Sequence, residues 1–197
     1  MFEANITGRI IATGLLLVAS VLLMLDPIYP DEQLLQMVHT PIILALLIWW
    51  RKAQWLSNAG YYCVIIFLLL HAIAARWIYS FVPYESLIGD LGYDRNMYDR
   101  FVHFFYGVLL YLPLRDLLRS RFNYPGRTSF YVSVLWINAS SVFYELFEWG
   151  LAMGMNPEQA EAYNGQQGDM WDAHKDMALA AGGAMIPMLV DVLRYKR

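Results

Sequence analysis

The chain has 197 residues, of which 58% are hydrophobic and only 16% are charged, and its mean hydropathy is +0.38. This composition excludes an ordinary soluble domain and indicates an integral membrane protein. The net charge of -3 gives no basic surface for nucleic acid, and the single cysteine, Cys63, excludes an internal disulfide and a cysteine-rich metal site.

Six apolar stretches are long enough, or nearly so, to cross the hydrocarbon core of a bilayer, which takes about 20 helical residues. No small-residue cleavage motif follows the first stretch, so we interpret it as a retained span rather than a signal peptide. The sequence therefore predicts an all-α, polytopic membrane protein, a single domain over 1–197 built as a bundle of six transmembrane helices. The predicted spans are 9–25, 34–50, 61–81, 98–118, 129–153 and 172–193.

The basic residues gather at one set of span ends, and the acidic residues gather in the opposite connections. Cytoplasmic loops carry an excess of lysine and arginine, so this asymmetry predicts that both termini are cytoplasmic. Ten of the fourteen basic residues lie on the predicted cytoplasmic side, namely Arg9, Arg51, Lys52, Arg115, Arg119, Arg121, Arg127, Arg194, Lys196 and Arg197.

Three predicted helices each carry a line of polar side chains at helical spacing. Because successive residues of a helix turn by about 100°, the aspartates of the last line fall within roughly 60° of one another. Lipid cannot satisfy such groups, so we expect all three lines to face protein or water, with their histidine and carboxylates in the outer half of the membrane. The lines are Asp99, His103 and Tyr106; Asn138, Ser141, Glu145 and Glu148; and Asp169, Asp172 and Asp176.

The acids and histidines of these lines are suitable ligands for a divalent metal ion. Zinc and manganese accept carboxylate oxygen and imidazole nitrogen, whereas magnesium prefers carboxylates with water. The alternative is that Arg76, Arg100 and Lys175 neutralise the acids in ion pairs that only fix helix packing. The predicted metal ligands are His71, His103, Glu145, Glu148, Asp169, Asp172 and Asp176, and the predicted catalytic residues are Glu145, Glu148, Asp172 and Asp176.

Two functions from different classes remain open alongside a purely structural role. The first is a metal-dependent hydrolase or transferase acting on a lipid or lipid-linked substrate from the outer leaflet, with Arg76 and Arg100 binding phosphate and Asn138 also contacting the substrate. The second is a transporter coupled to protons or metal. The cytoplasmic halves of the spans carry few polar groups, which favours a one-sided site over a passage. Membrane lipids are the expected partners, and the sequence leaves open whether the protein forms a homo-oligomer.

Three motifs occur in order along the last three spans: Tyr98-Asp99-Arg100-Phe101-Val102-His103-Phe104, Glu145-x-x-Glu148-Trp149, and Gly168-Asp169-x-Trp171-Asp172-x-x-x-Asp176-Met177. Together they resemble the YjdF-type inner-membrane proteins of bacteria. The resemblance implies a multi-spanning protein of the bacterial inner membrane. It supports the topology and the choice of site residues, and it implies no reaction.

Overall fold

A computed structural model describes residues 2–195, and this part of the chain is helical with no strand. The predicted all-α bundle with six helices able to span a membrane is confirmed. The basic residues Lys196 and Arg197, which entered the prediction of orientation, lie outside the described residues. The helices are α1 (Ile6–Leu23), α2 (Pro30–Met37), α3 (Thr40–Trp50), α4 (Asn58–Arg76), α5 (Glu85–Ile88), α6 (Tyr98–Ser120), α7 (Gly126–Ala152), α8 (Pro157–Asn164) and α9 (Asp172–Tyr195).

The second span is interrupted and consists of α2 followed by α3. Pro41 lies at the start of α3, where its missing N–H costs no helical hydrogen bond. A helix continuing through Pro41 from α2 would bring the proline ring against the carbonyl of Met37, the last residue of α2. The chain therefore breaks between the two helices, and His39 lies at the break.

The third span ends at Arg76 rather than at the predicted residue 81. Ile78 and Tyr79 have positive φ values of 41° and 61°, and the Tyr79 amide turns back to donate to the Ala74 carbonyl at 2.8 Å. Ile78 and Tyr79 are nonetheless buried. The apolar pattern past Arg76 therefore belongs to a buried turn that caps α4, which hydropathy alone does not distinguish from helix.

The centre of the bundle is the contact between α6 and α9, with α4 packed on α6 and α7 packed on both. Glycine makes the central contact possible: a Cβ on Gly107 would overlap the Ala180 carbonyl oxygen, and a Cβ on Gly183 would overlap the Phe104 carbonyl oxygen. Such small residues let helix backbones approach closely in membranes. The α6–α9 pair is therefore fixed in position by direct backbone contact.

The two ends of this pair differ in their polar groups. We call the end where α6 and α9 begin and α7 ends the site end, and the opposite end the basic end. At the basic end Arg115 donates to both oxygens of Asp191 at 2.7 Å, and the buried Tyr111 hydroxyl donates to Asp191 at 2.9 Å. Arg115 also pairs with the buried Asp116 at 2.9 Å, so Asp191 belongs to an ion-pair group at the basic end.

Candidate functional site

A group of two carboxylates and one imidazole lies between α6 and α9 at the site end. Asp99, His103 and Asp176 place one potential ligand atom each within 4.8 Å of one another. Asp99 and Asp176 are buried, and Nε2 of His103 lies 3.5 Å from Oδ1 of Asp99. We call these three residues the Asp-His-Asp group.

The spacing of the Asp-His-Asp group follows from the helix contact beneath it. Gly107 of α6 meets Ala180 of α9, and both helices begin at the site end. His103 lies one helical turn before Gly107, and Asp176 lies one turn before Ala180. Because α6 and α9 run in the same direction, residues one turn before the contact lie at the same height along both helix axes. The backbone contact therefore brings His103 beside Asp176. Asp99 then joins as the residue one further turn back on α6.

Two oxygen atoms near the group have no hydrogen-bond partner among the described residues. They are Oδ1 of Asp176 and Oε1 of Glu145, and both are buried. The Glu145 oxygen lies 3.9 Å from Nε2 of His103. Buried polar atoms nearly always have partners, since leaving one unpaired costs about 1–3 kcal/mol. These oxygens are therefore available to bind a cation or accept a proton.

A second set of acids at the site end is neutralised by basic side chains. Arg95 donates to Oδ1 of Asp172 at 2.5 Å, and Arg100 lies against Asp169 and 3.5 Å from Asp172. The Lys175 ammonium donates to Asp169 at 2.6 Å. Hydrogen bonds from Lys175 and the Trp171 amide, together with Arg100, lower the pKa of Asp169 to about 2. Asp169 therefore stays ionised in these pairs at any pH near neutrality.

Arg95 also ties two connecting segments together above the site. Its guanidinium donates to the carbonyls of Gly165 at 3.2 Å and Gln166 at 3.3 Å, in addition to Asp172. The backbone amide of Asn96 donates to the side-chain oxygen of Gln167 at 2.8 Å, and the side-chain amide of Gln167 donates to the backbone carbonyl of Asn96 at 3.1 Å. The segment before α6 is thus fastened to the segment before α9. We call this set of contacts the Arg95 clasp.

The structure separates the three aspartates that the sequence predicts to share one face of one helix. Helix α9 begins at Asp172, so Asp169 lies in the preceding turn, where it accepts a hydrogen bond from the Trp171 amide at 3.1 Å. Asp169 and Asp172 are held by arginines, whereas Asp176 is not joined to any base among the ion pairs of residues 2–195. Of the three, the structure brings only Asp176 to the Asp-His-Asp group.

His71 does not join the Asp-His-Asp group. Its Nε2 lies 3.1 Å from the Gln36 carbonyl, which only accepts, so Nε2 carries the proton and donates. Its Nδ1 then accepts from the Tyr79 hydroxyl at 2.5 Å. Burial raises the pKa of Tyr79, which keeps that hydroxyl protonated. With both ring nitrogens in hydrogen bonds, His71 has the geometry of a structural histidine, and its role as a metal ligand stays a prediction.

The predicted substrate-binding residues lie in three different surroundings. Arg76 ends α4, and its guanidinium lies 5.4 Å from the centroid of the Trp77 ring. Arg100 belongs to the ion pairs with Asp169 and Asp172. The Asn138 amide donates to the Val134 carbonyl of its own helix at 2.8 Å. The structure therefore gives Arg76, Arg100 and Asn138 different partners, and their role in binding a substrate stays a prediction.

Two cavities reach the polar centre from different sides. The larger, of about 490 Å³, lies between α3, α4, α6 and α7 and has His103 in its wall. The smaller, of about 340 Å³, lies between α7, α9 and the segment at 164–166, and its wall contains Glu145, Glu148 and Asp172. We call them the apolar cavity and the polar cavity. His103 in the wall of the apolar cavity lies 3.9 Å from Glu145 in the wall of the polar cavity.

Two residues of this region were absent from the predicted site. Asp99 is four residues before His103 on the same helical face, so the spacing was a usable signal for adding it to the ligands. Arg95 carries no such signal, because it precedes α6 and reaches Asp172 only through the tertiary fold. Pairing across 77 residues cannot be read from local periodicity.

The helices and this centre define a polytopic helical membrane protein with a buried carboxylate and histidine group. A family model described as a predicted membrane protein (DUF2238) matches residues 9–197. The chain is also 30% identical over 159 residues to the inner membrane protein YjdF of Escherichia coli (strain K12), which covers 79% of this chain and 75% of that protein.

The chain therefore belongs to the DUF2238 family of membrane proteins. The resemblance to YjdF-type proteins and the multi-pass inner-membrane location are confirmed. No solved structure shows a significant match to the chain.

Proposed function

We propose that this protein is a membrane-embedded, metal-dependent hydrolase or transferase acting on a lipid or lipid-linked substrate from the outer leaflet. The observation that carries the proposal is the Asp-His-Asp group, with ligand atoms within 4.8 Å of one another inside the bundle. The unpartnered Oδ1 of Asp176 fits the same interpretation, because a buried carboxylate oxygen is stabilised by a cation.

The donor set favours zinc or manganese over magnesium. Two carboxylates and one imidazole are ligands that zinc and manganese accept, whereas magnesium prefers oxygen donors and keeps several waters. A bound divalent ion would lower the pKa of a water ligand and polarise a phosphoryl or acyl oxygen. Glu145, 3.9 Å from His103 and in the wall of the polar cavity, is the residue we assign to take the proton from the attacking group.

The packing beneath the site supports chemistry at one side of the membrane over passage through it. The buried residues Tyr111, Ile137, Ala180 and Ala184 form an apolar cluster between the Asp-His-Asp group and the Arg115–Asp191 pair. The backbones of α6 and α9 touch at the same level. A transported ion would have to cross this closely packed layer, in which the Tyr111 hydroxyl, already bonded to Asp191, is the polar group of these four side chains.

Replacing Asp176 by asparagine is expected to weaken metal binding by at least about 100-fold, because the variant removes a charged ligand from a small donor set. The measurement is calorimetric titration of metal-stripped protein in detergent with Zn²⁺ and with Mn²⁺. Asp191→Asn is the matched control, since it removes a carboxylate from the same helix at the basic end. Equal affinity of the Asp176 and Asp191 variants, or no binding by the unaltered chain, would contradict the metal site.

The enzymatic part is tested with metal-loaded protein in vesicles of a bacterial lipid extract. Mass spectrometry of the lipids is expected to find a product that requires both the metal and Asp176. A lipid composition that stays the same with the unaltered, metal-loaded chain would refute turnover even if the metal site itself is present.

A further inference from the structure

Apolar side chains form a large part of the wall of the apolar cavity. Its wall contains six aliphatic or phenyl side chains, five from α3, α4, α6 and α7 and one from the break before α3: Ile43, Phe67, Val102, Leu110, Phe147 and Val38. Two tyrosine hydroxyls in the wall are paired with neighbours, Tyr106 with Ser140 at 2.5 Å and Tyr79 with His71 at 2.5 Å. These groups therefore need no water, and the volume of about 490 Å³ lies in the usual range of small-molecule sites.

The cavity reaches the lipid-facing surface inside the spanning part of the bundle. Val38 on one side and Phe147 on the other both contribute to the cavity wall, yet they are 57% and 47% exposed. Val38 lies in the break between α2 and α3, and Phe147 lies in the last part of α7. At this position the surroundings of an inner-membrane protein are lipid chains, so the molecules able to enter sideways are lipids.

The inner end of the cavity is polar and adjoins the proposed reaction centre. His103 lies in its wall, and Glu145, 3.9 Å away, lies in the wall of the polar cavity. The buried hydroxyl of Ser141, which also lines the apolar cavity, has no partner among the described residues. A molecule with an apolar tail and a polar head matches a cavity that is apolar at its lipid-facing opening and polar at its inner end.

We propose that the apolar cavity binds one hydrocarbon chain of a membrane lipid, which enters between α3 and α7 and places its polar end beside His103. The inference deepens the proposed function and rests on it for the identity of the reaction. Chain binding itself uses apolar contacts alone and needs no metal. The bond that reacts would then lie between the two cavities, where His103 and Glu145 meet.

The test uses the full chain in nanodiscs that contain a phospholipid with a diazirine on its acyl chain. After illumination, peptide mass spectrometry is expected to find label on the cavity residues Phe67 and Leu110 as well as on the lipid-facing Leu15 and Leu135. Label confined to the lipid-facing residues would overturn the proposal.

Neighbouring isoleucines of α3 provide a matched pair of variants. Ile43→Trp places a large ring in the cavity, whereas Ile42→Trp places it on the lipid-facing surface, where Ile42 is 62% exposed. We expect label at Leu110 to fall about tenfold in the Ile43 variant. This factor corresponds to the binding free energy lost when roughly two methylenes of the lipid chain no longer fit in the cavity. The Ile42 variant should label like the unaltered chain.

Equal labelling of the two isoleucine variants would refute the cavity as the binding site. Ser141→Leu fills the same cavity from α7 and replaces the Ile43 variant in this comparison if that variant fails to fold. Labelling is repeated in EDTA and with Asp176→Asn. If the cavity residues are labelled but the titration finds no metal binding, the chain-binding site is upheld and the metal-dependent function is refuted. If metal binds but the cavity residues are not labelled, only the chain-binding site is refuted.

Discussion

Gly183→Ala is expected to lower the free energy of unfolding by about 3 kcal/mol, the upper part of the usual range for overpacking. The added methyl group would overlap the Phe104 carbonyl oxygen and lie 3.2 Å from the Val108 amide nitrogen. Both atoms belong to the backbone of α6, so they cannot move aside without separating α6 from α9. The same movement would pull Asp176 away from His103, so metal affinity should fall together with stability.

Gly182→Ala is the control for this prediction. No atom lies within 4 Å of the position that its Cβ would take, so the substitution adds helix propensity without a clash. We expect unchanged stability or a gain of up to about 1 kcal/mol. Unfolding by denaturing detergent, followed by tryptophan fluorescence, measures both variants. A loss in Gly183→Ala no larger than in Gly182→Ala would show that the two helix backbones are not in contact.

Arg95→Met is expected to destabilise the site end by about 3 kcal/mol, because it leaves Asp172 buried with only the more distant Arg100 as a charged partner. It also removes the donors to the Gly165 and Gln166 carbonyls. The Arg95 clasp would open, and the segments 77–97 and 165–171 would lose their connection. The helices below depend on other contacts, so the loss should stay local.

Hydrogen exchange measures this effect segment by segment. In Arg95→Met, amides in 77–97 and 165–171 should exchange at least about 100-fold faster, the ratio that corresponds to the expected loss. Lys175→Met is the control: Lys175 belongs to the same network through Asp169, but its side chain is 48% exposed, so solvent screens this ion pair and its loss should change exchange little. Similar exchange in the two variants would mean that Arg95 does not hold the segments together.

The number and type of the spans could be predicted from the sequence because burial in lipid demands long apolar helices, and hydropathy records that demand directly. The ends of the spans were harder to predict where apolar residues are buried in the protein outside a spanning helix. Ile78 and Tyr79 are as apolar as a span requires, yet they form a left-handed turn whose burial comes from the bundle itself. Pro41 was the visible sign of the break in the second span.

The site was predictable to the extent that helical periodicity determines it. The spacing of Asp99 and His103 is local, and so is the placement of Glu145 and Glu148 along one face of α7. Whether a carboxylate meets an arginine or another carboxylate depends on helix neighbours and on loops, which periodicity does not contain. Arg95 decides that Asp172 is paired, and the contact at Gly107 decides that Asp176 meets His103.

We expect X-ray absorption spectroscopy of the protein loaded with one equivalent of Zn²⁺ to show a shell of oxygen donors with imidazole nitrogen. The imidazole signal should disappear in His103→Gln while it persists in His71→Gln. A shell of oxygen donors alone in the unaltered chain, or an imidazole signal that survives His103→Gln, would contradict a metal site at Asp99, His103 and Asp176.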